Sequence, residues 1–163
     1  MITKATFGAG CFWGVEEKFR VAKKVSQTKV GYMGGKTKYP TYEEVCTGTT
    51  GHIEVVEVSF DTTRVRYEEL LELFWKIHNP TQLDRQGNDV GEQYKSIIFY
   101  HSEEQKKKAF LSKERLERSK KYNAPIVTEI RKATEFFEAE EYHQKYLLKH
   151  ARKVCGTLNC GKK

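Results

Sequence analysis

The chain has 163 residues, 31% of them charged, with a formal net charge of +7. Aromatic side chains make up 12% of it, which excludes a disordered chain, and the length fits one domain with its own core. No run of about 18 apolar residues is present, excluding a helical membrane span, and Met1 to Ala5 lacks the apolar stretch of a secretory signal. The expected compartment is therefore the cytoplasm. Much of the basic excess lies in Lys106-Lys107-Lys108 and Arg118-Ser119-Lys120-Lys121, on one solvated helix without interleaved aromatics. That pattern argues against nucleic-acid binding.

Ile2 to Phe7 reads as a strand closed by Gly8-Ala9-Gly10, and Val15 to Phe19 as a helix. Cys11 falls at the corner between them, followed by Phe12, Trp13 and Gly14. At such a corner the first helical N–H groups and the positive end of the dipole favour thiolate over thiol. The same pentapeptide also fits a buried core cysteine in a tight turn, and at this point both readings stand.

Val25 to Val30 is expected as a strand leading into Gly31-Tyr32-Met33-Gly34-Gly35. Lys36 to Gly51 reads as a long loop carrying Tyr39, Pro40, Tyr42 and Cys46, and loops of that length are usually functional. His52 to Phe60 is the strongest strand, with Glu54, Val56, Val58 and Phe60 on one face. A carboxyl on that apolar face would have its pKa raised by desolvation. The alternative is a strand-end glutamate that reaches solvent or pairs with a lysine.

Tyr67, Leu70, Leu71, Phe74 and Ile77 keep helical spacing up to Asn79-Pro80, with His78 as a helix-end residue. Thr81 to Gln93 is a second long loop around Gly87-Asn88-Asp89-Val90-Gly91, and Tyr94 to Tyr100 a strand. Ser102-Glu103-Glu104-Gln105 is a capping box opening a helix to about Lys121. Ala124 to Ile130 is expected as a strand, Ala139 to His150 as a last helix, and Ala151 to Lys163 as a tail without periodicity. Strands and helices alternate, but several connections are looped returns rather than helical crossovers. A two-layer α+β sandwich is favoured over a doubly wound sheet.

The four cysteines are Cys11, Cys46, Cys155 and Cys160. Without a secretory signal they point to catalytic, redox or metal chemistry rather than a disulfide framework. Cys155 and Cys160 are flanked by Gly156 and Gly161, and a mobile tail can deliver a thiol to a sulfenic acid elsewhere. The competing reading is zinc held by Cys155, Cys160, His143 and His150, although the cysteine spacing is long for it.

Taken together, several stretches resemble the peptide methionine sulfoxide reductase A family. They are Gly10-Cys11-Phe12-Trp13-Gly14, Gly31 to Gly35, Pro40-Thr41-Tyr42, Val45 to Glu54, Phe74-Trp75 with His78-Asn79-Pro80, Gln86 to Tyr94, and Phe136 to Tyr146. The resemblance runs in one order from about Phe7 to Leu147. It implies a ferredoxin-like split βαβ core with a mixed sheet, helices on one side and a long irregular C-terminal tail from about residue 149. It also implies a single catalytic domain over residues 1–163.

By the same resemblance Cys11 is the nucleophile, and Phe12 and Trp13 wall the pocket for the sulfoxide methyl group. Glu54 would protonate the sulfoxide oxygen, Tyr42 and Tyr94 would share that oxygen, and Asp89 would line the site. Cys155 and Cys160 would resolve the sulfenic acid left on Cys11. Thioredoxin or another dithiol would restore the thiols, with no metal or organic cofactor, and the protein is expected to act as a monomer. Cys46 reads as a structural thiol. Tyr39 stands where the family usually has asparagine and Lys95 where arginine is common, neither position touching the chemistry. A thiol peroxidase would share the sulfenic acid but would not need Phe12-Trp13 or Glu54.

Overall fold

The computed structural model describes residues 1–22 and 25–151. The expected tail is outside the described residues from 152 onward, and with it Cys155 and Cys160. In chain order the elements are β1 (Ile2–Ala9), α1 (Phe12–Arg20), β2 (Val25–Met33), α2 (Tyr42–Cys46), β3 (Ile53–Asp61) and α3 (Tyr67–Lys76). There follow β4 (Arg85–Gln86), β5 (Asp89–Val90), β6 (Ser96–Tyr100), α4 (Glu103–Ser119), β7 (Glu129–Lys132), β8 (Phe137–Glu138) and α5 (Tyr146–Lys149). Single 3-10 turns cover Glu92–Tyr94 and Glu141–His143.

Six strands form one sheet in the order β7-β6-β1-β3-β2-β8. Its pairings are antiparallel except for β6 with β7, which is parallel. The sheet is therefore mixed and the fold α+β. Alternation along the strands sets the layers. Ala5, Phe7, Val56, Val58 and Phe60 face a cluster shared with Phe12 and Phe19 of α1 and Tyr67, Leu71 and Phe74 of α3. Phe7 lies at its centre, its ring stacked 5.1 Å from Phe19 and 5.3 Å from Phe74. A smaller cluster of Met33, Ile53, Val55, Ile97 and Phe99 is packed by Ala133 and Phe136. Lys95, 8% exposed, places its ammonium 2.6 Å from Glu129 and ties the start of β6 to β7.

Local chemistry explains where several expected boundaries move. The expected loop 36–51 contains α2, opened by a reciprocal capping box between Thr41 and Glu44. The loop before β6 folds its middle into the small β4–β5 hairpin around Gly87-Asn88. β6 begins at Ser96 rather than Tyr94, because Glu92–Tyr94 is a 3-10 turn. The strand expected over 124–130 sits later, over Glu129–Lys132, where β6 offers parallel partners. At the head of α4 Ser102 caps Gln105, but the Gln105 side chain accepts from His101 N–H instead of closing the box.

The largest correction is the last helix. Residues 139–150 do not form one. Ala139 N–H donates to Val30 O, and the Gln144 carboxamide bonds Val30 N–H and C=O. Lys145 turns left-handed at φ 51°, and its N–H donates to Glu16 Oε1 at 2.6 Å. Partners from β2 and α1 thus take the backbone groups that helical bonds would have used.

Candidate active site

The site is assembled where β1 runs into α1. Gly10 makes the corner at φ 104°, and a Cβ there would stand 2.9 Å from Gln86 Cβ. Only glycine serves both the dihedral and the close approach. Cys11 is the N-cap residue of α1, with no side-chain cap bond, and is disulfide-bonded. No acid lies in the first turn of this helix. Its first N–H, that of Phe12, instead donates to Glu54 Oε1 at 3.3 Å, so a carboxyl from β3 caps the helix through space.

Glu54 is 1% exposed. Its other oxygen accepts from Gln93 Nε2 at 2.9 Å. Burial pushes its pKa up to about 8; the Gln93 and Phe12 bonds pull it down, and the negative field of Asp89 adds to the rise. Desolvation outweighs both donors, and the carboxyl is mostly protonated at neutral pH. The strand pattern had left open a solvent-reaching glutamate, and the burial excludes it.

The second long loop delivers Gln93, Tyr94 and Asp89 to this carboxyl. Tyr94 is buried, and its phenol pKa is raised by burial first and then by the charges of Glu54, Asp89 and Cys46. Asp89 and Cys11 together line a cleft of about 170 Å³ with Gln86 and Ile77. From the first loop, α2 presents Tyr42, whose ring lies 6.4 Å from Phe12 and 4.6 Å from His143. Cys46, exposed at the end of α2, accepts from Gln93 Nε2 at 3.5 Å, and desolvation pushes its thiol pKa up. A raised thiol pKa is the opposite of what a nucleophile needs.

The aromatic wall has its own scaffold. Phe12 is 1% exposed, 5.1 Å from the His143 ring and 5.8 Å from Tyr32. Trp13 is half-buried and stacks on Tyr146 at 3.7 Å and 6°. Trp13 and Tyr42 line a cavity of about 510 Å³ with Tyr142 and Tyr146. The structure thus brings Cys11, Phe12, Trp13, Tyr42, Glu54, Asp89 and Tyr94 to one region, while Cys155 and Cys160 lie outside the described residues. Sequence reasoning gave no role to Gln93 or Glu140 as site residues, and weighed His143 only as a zinc ligand. Their places in the matching motifs were the only signal, because their partners lie 39 to 130 residues away. Among the described residues, no group of three or more His, Cys, Asp or Glu could hold a metal ion.

These features agree with what other proteins of known kind show. The family model described as peptide methionine sulfoxide reductase matches residues 3–162. The peptide methionine sulfoxide reductase MsrA of Methanothermobacter thermautotrophicus is 61% identical over 152 residues, 93% of this chain and 90% of that protein. The crystal structure of reduced Mxr1 from Saccharomyces cerevisiae has a TM-score of 0.88 at 34% identity, covering 94% of this chain and 88% of the other. Mxr1 in complex with Trx2 also matches, with a TM-score of 0.64 at 26% identity over 89% and 84% of the two chains. The chain belongs to the peptide methionine sulfoxide reductase family and is an oxidoreductase of that kind.

Proposed function

We propose that this protein reduces methionine S-sulfoxide, free or within polypeptides, through Cys11 and Glu54. The observation that carries the reading is the buried, mostly protonated Glu54 bonded to the N–H that follows Cys11. A sulfoxide sulfur is a poor electrophile until its oxygen is protonated. Glu54 donates that proton as the Cys11 thiolate attacks the sulfoxide sulfur and forms an S–S bond to it, and Tyr42 and Tyr94 stabilise the developing charge. Asp89 lines the site, and Phe12 and Trp13 receive the methyl group. The oxygen then passes as hydroxyl from the substrate sulfur to the Cys11 sulfur while the S–S bond breaks, so methionine leaves and Cys11 becomes a sulfenic acid.

A thiol from Cys155 or Cys160 then attacks that sulfenic sulfur and releases water, leaving a disulfide. A thioredoxin dithiol reduces it by exchange. The Mxr1–Trx2 complex supports thioredoxin as the reductant. No metal or organic cofactor enters this chemistry. The strand order β6-β1-β3-β2, with α1 between β1 and β2 and α3 between β3 and β6, supports a ferredoxin-like split βαβ core. We read the chain as one catalytic domain over residues 1–163, acting as a cytoplasmic monomer. No helix of the described residues is long and apolar enough to cross a membrane.

The test is an assay with separated S and R epimers and thioredoxin. Turnover confined to the S epimer and abolished by Cys11→Ser is expected, and full turnover by that variant overturns the mechanism.

A further inference from the structure

The segment that fails to become a helix does something else. It runs past both walls of the site, and two of its polar side chains each grip one of them. Trp13 Nε1–H donates to His143 Nδ1 at 2.8 Å. An imidazole that accepts at Nδ1 while neutral carries its proton on Nε2. His143 is fully buried, with the rings of Phe12, Trp13, Tyr42 and Tyr142 within 5.6 Å. Its Nε2 is buried with no hydrogen-bond partner among the described residues. A buried donor left unpaired costs free energy that a phenylalanine would avoid. The histidine is therefore poorly explained as filling and well explained by the bond it makes to Trp13.

Three residues earlier, Glu140 accepts from Tyr42 N–H at 2.9 Å through one oxygen and from the Tyr32 hydroxyl at 2.9 Å through the other. The indole comes from α1 and the phenol from α2, elements separated by β2 and a loop. One 3-10 turn spans them.

We infer that Glu140 and His143 are positioning residues for sulfoxide reduction, with His143 orienting the Trp13 indole of the methyl pocket and Glu140 fixing Tyr42 on the oxygen side. Burial first, with an opposing pull from Glu140 and a further push from Lys149, sets the His143 pKa to about 4. The ring therefore stays an acceptor throughout the working pH range. The inference rests on the Cys11–Glu54 reading, and its first readout is independent of turnover.

That readout is Trp13 fluorescence in a Trp75→Phe background, which leaves one indole in the chain. His143→Phe keeps an aromatic ring but removes the acceptor, and is expected to shift the emission and raise acrylamide quenching. His143→Asn places an amide oxygen near the Nδ1 position and is expected to restore both. In steady state with a methionine sulfoxide peptide, His143→Phe should raise KM about five- to tenfold, the size of one lost hydrogen bond, with kcat little changed. Glu140→Gln should leave Trp13 emission unchanged and lower kcat rather than raise KM. Unaltered emission and KM in His143→Phe would overturn the role of the histidine, as would a His143→Asn variant no better than it. A Glu140→Gln variant with native kcat would overturn the other half. Loss of activity in wild type with Cys11 intact, but with the fluorescence series as expected, would count against the catalytic reading and leave the brace standing.

Discussion

At the scale of single residues, Glu54 makes the most exposed claim. Its carboxyl titrates near 8 in the folded chain against an ordinary value of 4.5. In the proposed reaction Glu54 donates only while protonated, so the single-turnover rate of sulfoxide reduction should fall as pH rises through about 8. Stopped acid quench across pH 6 to 10 (roughly the span that brackets such a group) measures it directly. Glu54→Gln should lower the rate by roughly 100- to 10,000-fold while substrate still binds. A Gln variant with a near-normal rate would remove the acid role. Tyr39 provides a quieter test. It sits at φ 50°, 80% exposed, with its ring edge on Phe137 at 5.4 Å. The left-handed region costs about 1 kcal/mol for most side chains and little for asparagine, and an exposed edge contact contributes about 0.5 kcal/mol. Tyr39→Asn should therefore stabilise by a few tenths of a kcal/mol, read as a small rise in thermal midpoint.

Among elements, α2 is short and its anchoring is local. Five residues cannot sustain a helix by propensity, so the Thr41–Glu44 box and the Glu140 bond to Tyr42 N–H hold it in place. Thr41→Ala should cost about 1 kcal/mol of stability at most, because the cap is exposed. Its effect on kcat/KM should be larger than that cost implies, since the frayed element carries Tyr42. A denaturant midpoint and a steady-state assay on the same preparation separate the two. The motif Thr-Tyr-Glu-Glu was readable in the chain as a capping box. The loop's glycine and threonine content concealed it.

For the whole molecule, the return of the chain after β7 decides the architecture. β8 and the turn after it lie along β2, and Gly31 allows the approach: a Cβ there would stand 2.4 Å from Phe137 O. Gly31→Val should lower both the thermal midpoint and kcat/KM, because it pushes away the segment that bears Glu140 and His143. Stability of the entire fold also carries the signature of Glu54. The folded pKa is raised, so the folded state holds a proton that the unfolded chain has released between pH 4.5 and about 8. Stability should decline over that window by on the order of 1 kcal/mol per pH unit and level off above it. Glu54→Gln should flatten the slope in urea titrations at several pH values.

The sequence by itself determined the elements whose signals are periodic and local. β3 alternates, α3 keeps its 3.6-residue stripe, and Cys11 follows a glycine corner at a helix start; each needs only neighbours in the chain. The motif order also named the candidate residues Cys11, Phe12, Trp13, Tyr42, Glu54, Asp89 and Tyr94 that the fold brings to one region. Sequence could not decide whether Glu54 reached solvent, because burial depends on α1 and the Gln93 loop closing over it. Nor could it show that residues 139–150 form no continuous helix. Their spacing permits a helix, and only β2, Glu16 and Trp13 offer the competing hydrogen bonds. Local pattern fixes what a segment can be. Partners more than 100 residues away decided what this one is and gave it two side chains to grip the site.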